Sequence, residues 1–114
     1  MSKVADRSTA DRIRLLNDSL RTTFRGGRIL TTAGVAELPS DVKANVLLSV
    51  QRFADFNPEN DPHGEHDFGS FEIDGVTYFF KIDYYSADMQ GGSEDPADPE
   101  TTARVLTIMR ADEY

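Results

Sequence analysis

Histidine and carboxylate side chains cluster near the middle of this 114-residue chain, between Asp61 and Asp67. Imidazoles and carboxylates act as general acids and bases, and they bind divalent cations such as zinc or manganese. Asp61, Glu65 and His66 are therefore weak candidates for a metal site. The run His63-Gly64-Glu65-His66 is not the His-Glu-x-x-His of helical zinc sites, and no calcium loop is completed. The alternative is a hydrogen-bonded turn before a strand.

A second set of reactive residues comes from two neighbouring strands. Two strand-like runs flank Asp74-Gly75, a dipeptide typical of two-residue β-turns. Their register places His66 opposite Asp83, with Lys81 beside them. A carboxylate that orients an imidazole can build a general base, so His66, Asp83 and Lys81 are the catalytic candidates. The alternative is an ion pair on an exposed sheet face, worth about 0.2–1 kcal/mol, with Lys81 as an ordinary surface cation.

Several other kinds of site are excluded by what the sequence lacks. The chain has no cysteine, which excludes disulfides, cysteine-ligated zinc, iron–sulfur clusters and thiol nucleophiles. Gly26-Gly27 and Gly91-Gly92 lack the companion residues of phosphate-binding loops. Neither Ser70 nor Ser93 stands in a G-x-S-x-G elbow. No cofactor is therefore predicted.

The β-hairpin is the element that must position these side chains. Its predicted strands run from Phe68 to Ile73 and from Val76 to Tyr85. Because side chains alternate between the faces of a sheet, every second pair shares one face. One face, mostly apolar, is expected to cover the helices and carries the pairs Ile73–Val76, Phe71–Tyr78, Gly69–Phe80 and Asp67–Ile82.

Two amphipathic segments predict the helices that pack on this face. The first begins near Ser8 and ends at Gly26-Gly27. The second begins at Pro39-Ser40-Asp41 and cannot pass Asn57, because a proline follows. A short strand, Arg28 to Thr32, lies between them. The apolar stripe of the first helix consists of Ile13, Leu16, Leu20 and Phe24.

The segment 98–110 fits two structures. Asp98-Pro99-Glu100 is typical of a helix start, whereas Val105, Thr107 and Ile108 favour a strand. We prefer a strand, because a lone hairpin is marginally stable. The predicted fold is α+β, with two helices packed on one face of a three- to four-stranded antiparallel sheet in the order α-β-α-β-β-β. Residues 8–114 form the single domain, and residues 1–7 a disordered tail.

Charge is distributed unevenly along the chain. The net charge of −8 divides into +4 over residues 1–30, −2 over residues 31–60 and −10 over residues 61–114. The acidic excess argues against a general nucleic-acid binder. No segment approaches the ~18 apolar residues of a membrane span, and no signal peptide is evident. A cytoplasmic protein without a membrane partner is therefore expected.

The acidic excess gathers at the predicted open end of the hairpin. Residues 60–67 and 81–99 together form an acidic sheet rim, which we expect to contact an unknown protein partner with basic groups. The residues predicted to bind this partner are Asp61, Glu65, Asp67, Tyr85, Asp95 and Asp98.

Several motifs are similar to those of a known family. They are Asn17-Asp18-x-Leu20-Arg21, Gly27-Arg28, Asn60-Asp61-Pro62, Glu65-His66-Asp67-Phe68-Gly69, Lys81-Ile82-Asp83-Tyr84-Tyr85, Asp95-Pro96-Ala97-Asp98-Pro99 and Arg104-Val105-Leu106-Thr107-Ile108-Met109. Over residues 13–114 the chain resembles a family of small bacterial proteins catalogued as a domain of unknown function. The resemblance implies a bacterial, single-domain protein and supplies no activity, cofactor or substrate. In that family the position of His63 is usually another aromatic residue, which leaves His66 the better candidate.

Two functions remain open at this point. The first is a binding or regulatory module, a monomer or weak homodimer, that contacts its partner through the acidic rim. In one version its spaced carboxylates mimic phosphates in the nucleic-acid site of another protein. The alternative is a small hydrolase-like enzyme, assisted by a divalent metal, in which Asp83 orients His66 as the general base.

Overall fold

The fold is given by a computed structural model that describes residues 2–114, with side chains from Thr9 onward. The helices are α1 (Ser2–Thr23), α2 (Ala33–Ala36) and α3 (Ser40–Arg52), and the strands are β1 (Arg28–Thr31), β2 (Phe68–Ile73), β3 (Val76–Ser86) and β4 (Thr102–Arg110), with a 3₁₀ turn (Ala111–Glu113) after β4. The predicted α+β class is confirmed. Helix α1 begins at Ser2, before the predicted start near Ser8, so its backbone includes most of the predicted tail, residues 1–7. The domain boundary at residue 8 stays a prediction. Across residues 2–114, no helix has the length and apolar character of a membrane span.

Helix α1 packs against the sheet with a face that is partly polar. Ile13 and Leu20 of the predicted stripe are buried, and so are Asn17 and Arg21. These positions recur every three or four residues, so they share one face of the helix. The helix ends before the predicted glycines, because Phe24 already takes a left-handed conformation with φ 57°. Its N–H still donates to the carbonyl of Leu20 at 2.7 Å.

The hairpin has the predicted turn and register. Asp74 and Gly75 have φ values of 51° and 81°, as a type I′ turn requires. Ile73 pairs with Val76, and the pairing runs in register back to Phe68 opposite Lys81. The segment that fitted two structures is a strand, because β4 pairs antiparallel with β3 from Tyr78↔Arg110 to Ser86↔Thr102.

The predicted fully antiparallel sheet is wrong for its first strand. The strand order is β1-β4-β3-β2, and β1 runs parallel to β4, with Arg28 opposite Val105. Two strands that are close in sequence need opposite directions, whereas a long connection that crosses the sheet permits parallel pairing. Two helices and the whole hairpin lie between β1 and β4, so the sheet is mixed.

The helical layer differs slightly from the prediction. A third helix, α2, is only four residues long, which is too short to give a periodic pattern. Helix α3 begins after Pro39, as predicted, and ends at Arg52. Phe53 takes an extended conformation with φ −59° and ψ 131°, so the helix stops well before the limit set by the proline after Asn57.

All helices pack on one face of the sheet, and the core lies between them. The buried cluster joins Leu20, Val35, Val46 and Val50 of the helices to Tyr78, Phe80, Ile82, Leu106 and Ile108 of the sheet. We call the other face the open face. Alternation and register place on it the residues Leu30, Phe68, Phe79, Lys81, Asp83, Tyr85, Thr107 and Met109.

Candidate functional site

The predicted pair of His66 and Asp83 does not form. Strand β2 begins at Phe68, and the backbone of His66 is left-handed, with φ 57°. The imidazole therefore turns to the helical side, where its Nδ1 lies 2.9 Å from Oδ1 of Asp18. Asp83 lies on the open face and accepts a hydrogen bond from Lys81. The predicted pairing is wrong because His66 lies before the strand, and its left-handed backbone directs its own side chain away from Asp83.

Contacts within the fold hold His66 on one ring face and at Nδ1, and the side chain stays 25% exposed. Its ring stacks on Phe56, with centroids 3.8 Å apart and planes 4° from parallel. Asp61 Oδ2 lies 3.6 Å from Nε2, and Asp61 Oδ1 accepts the N–H groups of Glu65 and His66, each at 3.1 Å. Both ring nitrogens thus face carboxylates. The ring forms part of the wall of a cleft of about 510 Å³ beside Arg14.

A buried hydrogen-bond network lies beside His66. Asn17 is fully buried, and its Nδ2 donates to the carbonyl of Glu65 at 3.0 Å and to Tyr84 Oη at 2.7 Å. The Tyr84 hydroxyl donates to Glu65 Oε1 at 2.7 Å, and Arg104 Nε donates to Asn17 Oδ1 at 2.9 Å. Burial raises the pKa of Tyr84 and lowers the pKa of Arg104. The network joins α1, β3, β4 and the loop before β2.

Arg21 connects the first helix to the end of the third. Its Nη1 donates to the carbonyls of Val50 at 3.0 Å and Phe53 at 2.8 Å. It thereby binds the carbonyl end of α3, where the Val50 carbonyl also accepts the N–H of Phe53 at 3.4 Å. Its Nη2 donates to Asp18 Oδ1 at 3.1 Å. Asp18 is therefore fixed between Arg21 and His66, and it orients the imidazole as Asp83 was predicted to do.

The arrangement gives no support to the weak metal prediction for Asp61, Glu65 and His66. Asp61 directs Oδ1 to backbone N–H groups, and Glu65 accepts from Tyr84. Within the described part of the chain, no group of three or more histidine or acidic side chains could hold a metal ion. Asp67 is half-buried, and burial together with Glu65 raises the pKa of its carboxyl.

The loop between β3 and β4, residues 87–101, carries a second acidic group. We call it the acidic loop. Its carboxylates surround an open cleft of about 730 Å³, and those that line it are Asp88, Glu94, Asp95, Asp98 and Glu100. Asp95 and Asp98 also accept N–H groups of the loop itself, from Ala97 and Glu100. A hydrogen bond from the Ser86 hydroxyl lowers the pKa of Asp88.

The open face has an aromatic cluster and a shallow groove. The rings of Phe68 and Phe79 lie 5.2 Å apart, and the Tyr114 ring lies 5.6 Å from that of Phe79. The groove beside them has a volume of about 360 Å³. Lys81 and Asp83 pair along one wall, and this hydrogen bond raises the pKa of Lys81. The groove is lined by Thr32, Lys81, Asp83, Thr107, Met109, Glu113 and Tyr114.

The residues predicted to bind a partner are divided between the interior and the surface. Asp61 is 8% exposed, and Glu65 belongs to the buried network, so both have structural roles. Tyr85 lies at the end of β3, where it forms a bridge with Gly92 of the acidic loop. Asp95 and Asp98 line the cleft of that loop. The structure thus places part of the predicted rim at the surface, around residues 85–100.

Sequence reasoning missed the roles of Asn17 and Asp18. One signal was available, because Asn17 and Arg21 share the buried face with Ile13 and Leu20. Polar side chains at core positions of an amphipathic helix need buried partners. No comparable signal exists for Asp18, whose contact with His66 depends on a loop conformation.

Comparisons with known proteins give one match. A family model described as "Protein of unknown function (DUF3768)" matches residues 31–113. The matched region includes the loop with His66, strands β2, β3 and β4 and the acidic loop, whereas α1 and all of β1 except Thr31 lie outside it. No curated protein and no solved structure matches the chain.

Proposed function

Since the chain belongs to the DUF3768 family, whose function is unknown, we propose its function from geometry: it is a binding module that docks a basic partner protein on its open face. The helices cover one side of the sheet and do not cover the other. On that other side Leu30 is exposed and the rings of Phe68 and Phe79 are partly exposed, while Val105 and Met109 are buried. The uncovered side has aromatic rings and a groove in place of a fully polar surface. That uncovered face is the observation that carries the proposal.

The open face has the properties of a docking surface. Tyr114 is 77% exposed, and its ring adjoins the rings of Phe68 and Phe79, so the three form one contiguous group. Leu30, 51% exposed, lies on the same face but is separated from Phe68 by Thr107 and Lys81. Contiguous exposed apolar groups mark interaction sites more often than single exposed residues do. Aromatic side chains contribute much of the binding energy at such sites. A partner segment with apolar side chains therefore fits this face.

The acidic loop determines the charge of the partner. From Phe79 to Tyr85 the open-face residues of β3 lead over about 20 Å to this loop. The residues that line its cleft include five carboxylates and no lysine or arginine. Complementary charge speeds encounter and excludes like-charged partners. A segment with lysine or arginine beside apolar residues satisfies both parts of the surface.

The hydrolase alternative has less support. Its general base requires a ring nitrogen that is free to take a proton from water or substrate. In His66, Nδ1 contacts Asp18, but Nε2 lies 3.6 Å from Asp61 Oδ2, beyond hydrogen-bond distance, so the contacts do not occupy this nitrogen. What the alternative lacks is a metal site, because among the described residues no group of three or more histidine or acidic side chains could hold a metal ion. Asp83, the predicted orienting group, is paired with Lys81 on the other face. The contacts of His66 account for a structural link between α1 and the loop before β2.

The proposal is tested by affinity capture from the native cell with quantitative mass spectrometry. The variant Glu94→Gln/Glu100→Gln removes two exposed charges of the acidic loop, and Tyr114→Ser removes an exposed ring of the open face. Each should lower capture of the same partner by about threefold to tenfold.

The matched control is Glu37→Gln/Glu59→Gln, which makes the same charge change at exposed positions that line neither the groove of the open face nor the cleft of the acidic loop. It should capture the partner as the wild type does. Equal capture by all four proteins, or equal loss in the control, would refute docking on the open face.

A further inference from the structure

Strand β2 forms one edge of the sheet, and its outer side is unpaired. In the order β1-β4-β3-β2 it has β3 as its one neighbour, and no other strand of residues 2–114 pairs with it. Such an edge presents backbone N–H and C=O groups to any strand that approaches.

The turn determines which backbone groups of β2 point outward. With a two-residue turn, Ile73 and Val76 form a hydrogen-bonded pair, and such pairs alternate with non-bonded pairs along antiparallel strands. The N–H of Ile82 donates to the carbonyl of Asp67 at 2.8 Å, which agrees with this alternation. The residues in the non-bonded positions, which direct N–H and C=O away from β3, are Phe68, Ser70 and Glu72.

These outward groups are accessible to another strand. Ser70 and Glu72 are exposed. The strand Phe-Gly-Ser-Phe-Glu-Ile has no proline and no lysine, the residues by which edge strands commonly avoid association. The other edge of the sheet, β1, has four residues, so it offers a shorter template.

We infer that β2 pairs antiparallel with β2 of a second copy of this chain, about a two-fold axis at Ser70. In a two-fold interface each contact occurs twice, so a residue on the axis faces itself. With Ser70 on the axis, Ser70 faces Ser70 of the other copy, and Phe68 faces Glu72. This register brings all three outward residues of both strands together, and about six N–H···O bonds form. A shift by two residues in either direction would leave some of them unpaired.

The side chains favour the same register. Like charges directly opposite each other destabilise a strand pair. In this register each Glu72 faces a phenylalanine, and the small Ser70 side chains meet on the axis. The contact joins two four-stranded sheets into one continuous sheet. It bonds through the backbone edge of β2 and needs neither the acidic loop nor Tyr114, although Phe68 lies beside both contacts. Its test is therefore separate from that of the proposed function.

An engineered disulfide tests the register. The natural chain has no cysteine, so an introduced thiol is the sole one present. The two Ser70 residues on the axis have Cα atoms about 5.5 Å apart, within the disulfide range, whereas the Cα atoms of the two Glu72 residues lie about 14 Å apart. On air oxidation Ser70→Cys should form a dimer, reversible by dithiothreitol, at least about tenfold faster than Glu72→Cys. Absence of this dimer, or equal rates for both variants, would overturn the inference.

Sedimentation equilibrium of the natural chain supplies the second measurement. The wild type should show a reversible dimer. Ser70→Pro removes an outward N–H without removing a bond to β3, so it should weaken the dimer by about tenfold or more. A wild-type protein that stays monomeric at millimolar concentration would contradict the inference. This result would be expected if β2 accepted only a strand from another protein. If Ser70→Pro fails to fold, the disulfide comparison decides.

Discussion

The phenol of Tyr84 is both donor and acceptor in the buried network, between Glu65 and Asn17. Burial, and then the hydrogen bond to Glu65, raises its pKa above the ordinary value of 10.0. The folded protein therefore keeps this proton at pH values where the unfolded chain releases it. The stability that this proton contributes is complete below the unfolded pKa and is lost as the pH rises through the folded pKa.

The unfolding free energy of Tyr84→Phe should consequently fall less than that of the wild type as the pH rises above about 10. Between about pH 10 and 11, the unfolding free energy of the wild type should fall by about 0.5–1 kcal/mol more than that of the variant, below the ~1.4 kcal/mol limit for one proton because the ring is only partly buried. Urea unfolding at each pH measures this difference. Tyr85→Phe is the control and should keep the wild-type slope. If the unfolding free energy of Tyr84→Phe fell with pH as steeply as that of the wild type, this proton would not be linked to folding.

At the level of single residues, the sequence indicated which reactive side chains lie close together, but not which side chains each of them contacts. His66, Asp61 and Glu65 do lie close together, as their spacing suggested. The partner of His66 is Asp18, which is distant in sequence, because a left-handed residue directs the ring away from Asp83. A single φ value of that kind depends on tertiary contacts, here the N–H groups that Asp61 accepts, and leaves no trace in residue periodicity.

Close packing between β2 and β3 depends on a glycine. A Cβ at Gly69 would lie 2.2 Å from Cε2 of Phe80 and 3.0 Å from Cε2 of Phe53. Phe80 is fully buried, so its ring cannot move aside without disturbing the core. Gly69→Ala should therefore destabilise the protein by about 1–3 kcal/mol, as overpacking of a core does. Chemical denaturation measures the change.

The same substitution at Gly91 is the matched control. A Cβ there has nothing within 4 Å, and Gly91 lies in the acidic loop, outside the core. Gly91→Ala should change stability by less than about 0.5 kcal/mol. Equal effects at the two positions would mean that the ring of Phe80 can relax.

At the level of elements, local signals predicted local structure. Asp74-Gly75 determined the turn, and the turn determined the register of β2 with β3. The β-branched residues of β4 correctly indicated a strand. The parallel pairing of β1 with β4 could not be predicted in this way, because direction depends on how the helices and hairpin pack between them. The four-residue α2 was missed because it is barely longer than one helical turn, so its apolar positions do not repeat.

For the whole molecule, the excess of negative charge has opposite effects on the β2–β2 dimer and on the contact with a basic partner. Both copies in a β2–β2 dimer carry the same net charge of −8, so they repel each other, while the edge itself bonds through uncharged backbone groups. The contact with a basic partner instead gains from the acidic loop. One variable, ionic strength, should therefore move the two affinities in opposite directions.

Raising NaCl from about 0.1 M to about 1 M shortens the Debye length from about 10 Å to about 3 Å. The dimer should then strengthen several-fold, because salt screens repulsion between the acidic copies, whereas capture of the basic partner should weaken several-fold, because salt screens attraction to the acidic loop. Sedimentation equilibrium measures the first affinity, and capture at matched protein concentration measures the second. A dimer that weakens with salt would mean that charge pairs, and not the backbone of β2, join the copies. Capture that resists salt would mean that the aromatic cluster binds the partner without the acidic loop.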